Sequence, residues 1–115
     1  MSALLATRRL VVTGLIFGLA SLPSSLAATP IMHRIVIAKM AFGDSPPNIR
    51  AGDTIEWVNE DLFLHSVTAA DKSFDIDIQP NKSARFVVRA AGIIRYSCKY
   101  HPGMQAQLIV GDSRQ

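Results

Sequence analysis

From Ile31 onward the chain alternates short apolar-polar runs with turn residues, and it holds no stretch of helical apolar period long enough to build a helix. That pattern constrains the fold more than any other feature. In Thr54 to Asn59, Ile55 and Trp57 share one face, and Thr54 and Glu56 the other. Phe74, Ile76 and Ile78 alternate with Asp75 and Asp77, and Pro80 limits this run to an edge strand or loop. Lys82 to Arg89 places Ala84, Phe86 and Val88 on one side, and Met104, Ala106, Leu108 and Val110 share a phase in the last run. Ile31 to Phe42 reads as one apolar run closed by the loop Gly43-Asp44-Ser45-Pro46-Pro47, with Met40 as core filler. Seven or so short strands in one small domain predict an all-β fold, an antiparallel β-sandwich or barrel.

The region before these strands has a different character. Arg8 and Arg9 precede an apolar run from Leu10 to Leu22, which stops at Pro23 and is followed by small residues around Ala27-Ala28. A charged region, an apolar region and a small-residue cleavage site make a secretory signal. The run of about 13 residues is short of the ~20 that a membrane-spanning helix needs. The expected division is therefore a signal peptide at 1–27 and a single domain at 28–115. Thr7-Arg8-Arg9-Leu10-Val11-Val12 also resembles a twin-arginine export signal, so export by either that or the Sec route leads to a periplasmic protein.

Charge reads differently once the signal is set aside. The whole chain of 115 residues carries 12 Lys+Arg against 9 Asp+Glu, a formal +3. Arg8 and Arg9 leave with the signal, which brings the domain to about +1. Neither a basic stripe interleaved with aromatics nor a strongly cationic surface is left to bind nucleic acid or anionic lipid.

Cys98 is the single cysteine. Small exported domains often rely on disulfides, yet this thiol has no partner within the chain. It is then an inert buried residue, half of an intermolecular bridge, a nucleophile or a metal ligand. Its neighbours favour the last. In Cys98-Lys99-Tyr100-His101-Pro102-Gly103-Met104 a thiol, an imidazole and a thioether recur at three-residue steps across a turn bent by Pro102-Gly103. His65, in phase with Val67, offers a fourth donor. A nitrogen and sulfur set of two imidazoles, a thiolate and a thioether selects copper over hard cations. A zinc site from the two His and the Cys leaves the thioether without a role, as does a Cys-His nucleophile pair, which also needs an orienting group and an oxyanion hole.

Three segments carry a resemblance: Ile37-Ala38-Lys39-Met40-Ala41-Phe42, Ala51 to Asn59, and Cys98 to Met104. On these the chain resembles the cupredoxins, the type 1 blue copper proteins, and within them the amicyanin group. The resemblance implies a Greek-key β-sandwich holding one copper ion at one end. It implies His65, Cys98 and His101 as equatorial ligands and Met104 as a long axial one. It also implies a monomeric one-electron carrier, not an enzyme, reduced by an amine-oxidising dehydrogenase and oxidised by a c-type cytochrome. Leu62, Phe63, Pro102 and Gly103 would form an apolar docking patch around the His101 edge, with Glu60, Asp61 and Lys99 nearby to orient a partner or merely to solvate loop tips. The alternative function is copper storage or delivery in the cell envelope; Met32-His33 reads first as ordinary residues of a mobile first strand and second as a minor metal site for that function. The sequence departs from the family in Ser66, where Asn commonly follows the first ligand His, and in Lys99-Tyr100, where Thr-Pro is usual. A hydroxyl offers fewer hydrogen bonds than an amide, so the family's potential does not carry over.

Overall fold

The computed structural model describes residues 9–21 and 29–114. The cleavage region expected around Ala27-Ala28 lies outside them. Residues 9–21 take no regular secondary structure, and Leu10, Val11, Val12, Leu15, Ile16, Phe17 and Leu19 are exposed. Among the described residues no helix is long and apolar enough to cross a membrane.

Among the described residues, nine strands form two sheets. In chain order they are β1 (Met32–Ala38), β2 (Ala41–Phe42), β3 (Ile49–Arg50), β4 (Thr54–Asn59), β5 (His65–Ala69), β6 (Asp75–Ile78), β7 (Ser83–Val87), β8 (Gly92–Ser97) and β9 (Gln105–Gly111). One sheet has the order β2-β1-β4-β7 and the other β3-β9-β8-β5-β6. The chain changes sheets between β2 and β3, β3 and β4, β4 and β5, β6 and β7, and β7 and β8, as a sandwich with Greek-key connections requires.

The expected sandwich is present, with two differences of detail. First, β1 pairs with β4 and β3 with β9 in parallel, while the remaining pairs are antiparallel. Second, the apolar run from Ile31 to Phe42 is not one strand. It folds back at Lys39-Met40, both at positive φ (52° and 58°), so that Ile37 faces Phe42 and Ala38 faces Ala41. This left-handed pair is the geometry of a two-residue hairpin turn, made here without Gly or Asn. Met40 therefore sits at the turn, 39% exposed, and is not the core filler that the run suggested.

The alternation places the core as expected. Ile55 and Trp57 of β4, Phe74, Ile78 of β6, Tyr96 of β8, and Leu108 and Val110 of β9 are all buried. The aromatics interlock at tilted or edge-on angles, Phe42 with Tyr96 at 4.8 Å, Trp57 with Phe74 at 5.2 Å and Phe74 with Phe86 at 4.8 Å. On the opposite face of β4, Glu56 is buried as well, because Arg34 and Arg85 bond to its two oxygens at 3.1 and 2.7 Å.

One pole of the sandwich is tied by Asp53, at the entry to β4. Its buried carboxylate accepts from Ile31 N at 3.0 Å, Arg50 N at 3.0 Å and His33 Nε2 at 2.8 Å, and it pairs with Arg114. This occupies His33, which the sequence left as a possible partner of Met32 in a second metal site. The other pole, where β4 and β8 end and β5 and β9 begin, holds the remaining His residues and the cysteine.

Candidate metal centre

β8 ends at Ser97 and β9 begins at Gln105, so the turn from Cys98 to Met104 is the short connection between two antiparallel neighbours. Two backbone bonds close it, Cys98 N to Met104 O at 3.1 Å and Met104 N to His101 O at 3.2 Å. Gly103, at φ 96°, takes a left-handed conformation that suits glycine. The turn buries Cys98 and Met104 at the end of the core and leaves His101 half-buried.

His65 enters from β5, fully buried. The loop that delivers it, residues 60–64, is shaped by Asn59, whose side chain is sealed in the core. Asn59 Nδ2 donates to Phe63 O at 2.8 Å and to Ile78 O at 2.9 Å, and its Oδ1 accepts from Asp61 N at 3.0 Å. An amide can satisfy both carbonyls and the N–H at once, which no apolar residue of that size can.

His65, Cys98 and His101 converge. Cys98 Sγ lies 3.4 Å from His101 Nδ1 and 3.9 Å from His65 Nδ1, and the two Nδ1 atoms lie 3.1 Å apart. The three donor atoms form a group able to hold a metal ion. A point equidistant from them is about 2.0 Å from each, within the range of ~2.0–2.3 Å for metal bonds to imidazole and thiolate. Three ligands in such a triangle, with a buried thioether on the same turn, have the softness that suits copper. The structure thus brings together three of the four residues singled out, and places Met104, the fourth, at the end of the same turn, buried beside Cys98 in the core cluster.

The surroundings prepare the thiolate. Burial pushes the Cys98 thiol up, but the Ser66 N–H at 3.4 Å, His65, the Tyr100 N–H and His101 outweigh it and bring it down to about 6. An ionised sulfur is the form that binds metal. Ser66, which stands where the resembled family commonly has Asn, thus bonds to the sulfur through its backbone and ties the β5 entry to the Cys98–Met104 turn through its hydroxyl, which accepts from Lys99 N at 2.9 Å.

Sequence reasoning missed the role of Asp61. Its Oδ2 accepts from His65 Nε2 at 2.8 Å, and its oxygens also take the Lys39 and Met40 N–H groups at 2.8 and 2.9 Å. The carboxylate is therefore directed at His65 and the β1–β2 turn and not at a partner. The Met40 N–H, opposed by burial and joined by His65 and the Lys39 N–H, holds it below the usual aspartate range. The only hint in the sequence is an acid four residues ahead of a candidate ligand His. Lys99 likewise is engaged within the molecule, 3.0 Å from both Asp75 Oδ1 and Asp77 Oδ1.

Two sheets in this order, with a His-Cys-His cluster where the β8–β9 turn meets β5, define the cupredoxin fold. Solved structures of amicyanin are among those to which the chain is similar. The reduced tryptophan-to-tyrosine variant of amicyanin superposes with a TM-score of 0.63 at 21% identity, over 75% of this chain and 86% of that one. Amicyanin from Paracoccus versutus (Thiobacillus versutus) gives 0.60 at 26% identity, over 75% and 85%. A proline-to-glycine variant of amicyanin in its reduced Cu(I) form gives 0.60 at 24%, over 75% and 86%. No family model matches the chain.

Proposed function

We propose that the chain is a blue-copper electron carrier of the periplasm, exchanging one electron at a time between redox proteins. The observation that supports this most directly is the convergence of His65 Nδ1, Cys98 Sγ and His101 Nδ1 at one end of a rigid sandwich. His65, Cys98 and His101 would hold copper through two imidazoles and a thiolate, with the Met104 thioether as a weaker fourth donor. Bound copper would supply the one-electron redox chemistry.

The chain's own residues do the rest. A ligand set fixed by β5, β8 and β9, with Asp61 behind His65 and Ser66 on the sulfur, changes little when the charge at its centre changes, which is what rapid outer-sphere transfer needs. His101 is the half-buried ligand, and its ring meets Phe63 edge-on at 6.5 Å. Phe63 beside it is exposed (58%), as are its chain neighbour Leu62 (85%) and the residues flanking His101 in the turn, Tyr100 (43%), Pro102 and Gly103. That apolar rim suits a small, transient contact below ~1,200 Å². A dehydrogenase as electron donor and a c-type cytochrome as acceptor fit this reading, as does removal of residues 1–27 on export to leave 28–115.

The test is addition of Cu(II) to the purified protein, followed by visible absorption and electron paramagnetic resonance. An intense thiolate-to-copper band with narrow copper hyperfine splitting is expected, and its absence overturns the assignment. Replacing Cys98 by Ser abolishes the band. Reversible voltammetry and slow copper loss to a chelator distinguish a carrier from a storage or delivery protein. The N-terminal sequence of the protein recovered from the periplasm checks the cleavage.

A further inference from the structure

Ser66 and Thr68 of β5 pair with Asp77 and Asp75 of β6, and the four side chains form a strip against which the ligand turn folds. Lys99 Nζ bridges Asp75 and Asp77, and Tyr100 Oη donates to Asp77 Oδ2 at 2.6 Å. Thr68 Oγ1 donates to Asp75 Oδ1 at 3.0 Å. With its proton committed there, Thr68 accepts from Ser66 Oγ at 2.9 Å, which leaves the Ser66 lone pairs to accept Lys99 N. Every donor direction in the network is thereby set, and it ends at the sulfur, since the Ser66 N–H points at Cys98 Sγ.

We infer that Thr68, Asp75, Asp77 and Tyr100 are positioning residues for the Cys98 sulfur, holding the ligand turn through Lys99 and Ser66 at the distance where the Ser66 N–H bonds to it. Lys99 and Tyr100 supply no fixed φ of the kind a proline gives a turn. The cross-links to β6 restrict them instead. Isolated surface ion pairs contribute little, but here one lysine, two aspartates, a phenol and two hydroxyls share a network. The inference rests on the blue-copper reading, because its consequence is electrochemical. A hydrogen bond to the sulfur favours the more electron-rich thiolate of the reduced state and so raises the potential.

Tyr100→Phe and Thr68→Val test it without altering charge. In the copper-loaded protein each variant moves the Cu(I)/Cu(II) equilibrium toward Cu(II) by about two- to tenfold, as expected for a weakened hydrogen bond. In the metal-free protein each speeds hydrogen exchange at the Lys99 amide. If both variants keep the parent's potential and the parent's Lys99 exchange rate, the inference is wrong. If the parent never develops the thiolate-to-copper band, the blue-copper reading fails by itself, and Lys99 exchange in the metal-free variants still decides whether the strip holds the turn.

Discussion

Asp61 stands directly behind His65, with Oδ2 2.8 Å from Nε2, on the far side of the ring from the Nδ1 that faces Cys98 and His101. The carboxylate sets the tautomer. With Nε2 as the donor to Asp61, Nδ1 keeps its lone pair for a metal. Asp61→Ala frees the ring to turn and unties the Lys39-Met40 turn as well. Copper affinity is expected to fall about 10- to 100-fold, measured by competition with a chelator. An unchanged affinity would show that burial alone orients His65.

Met104 separates a backbone role from a proposed side-chain one. Its backbone closes the turn, while its thioether is the proposed fourth donor. Met104→Leu preserves the volume and the two backbone bonds but removes the thioether, which donates best to the electron-poor oxidised ion. The colour is expected to persist and the potential to rise by at least about 60 mV, a tenfold shift in a one-electron equilibrium. Voltammetry of the variant checks this, and loss of the colour would make Met104 a structural necessity and not a tuning ligand.

That Cys98, His101 and Met104 share one turn was legible from their spacing, and the structure brings Cys98 and His101 together there. His65 lies further off in sequence and was legible from its inward phase. Asp61 was not, since its role depends on Asn59 folding the loop back and on two amides from the β1–β2 turn. That turn was itself hidden, because Lys39 and Met40 take positive φ without the residues that normally announce it. The parallel pairing of β1 with β4 is invisible to alternation, which reports the face of a strand and not its neighbour. Lys99 and Asp61 looked like free loop charges for the same reason, as their partners are brought to them only by the fold.

Acid stability follows from the opposite pole. Burial pushes the Asp53 carboxyl up, but Arg114, the Ile31 N–H, His33 and the Arg50 N–H outweigh it and hold it well below the ordinary aspartate value. A carboxylate depressed in this way contributes stability that is complete above about pH 3.9, the unfolded value, and is lost as pH falls toward the folded one. Denaturant midpoints are therefore expected to hold at mildly acidic pH and to drop below pH ~4. Asp53→Asn lowers stability by about 3 kcal/mol at neutral pH and flattens that acid limb. An acid limb as steep as the parent's would place the titration elsewhere.

Phe63 provides the test of the docking rim, because it borders the half-buried His101 without joining the donor set. Its ring meets His101 edge-on, and it makes no hydrogen bond through its side chain, whereas its carbonyl, which Asn59 anchors, is retained in any substitution. Phe63→Ala should leave the visible spectrum unchanged, since the three donors and their backing by Asp61 and Ser66 are untouched. Electron self-exchange between reduced and oxidised copies requires two rims to meet, and truncating a central aromatic of a small contact costs on the order of tenfold. Line broadening in nuclear magnetic resonance of mixed-redox samples measures that rate. A parent-like rate would mean that electrons leave by another face, and a changed spectrum would mean that Phe63 supports His101 and does more than border it.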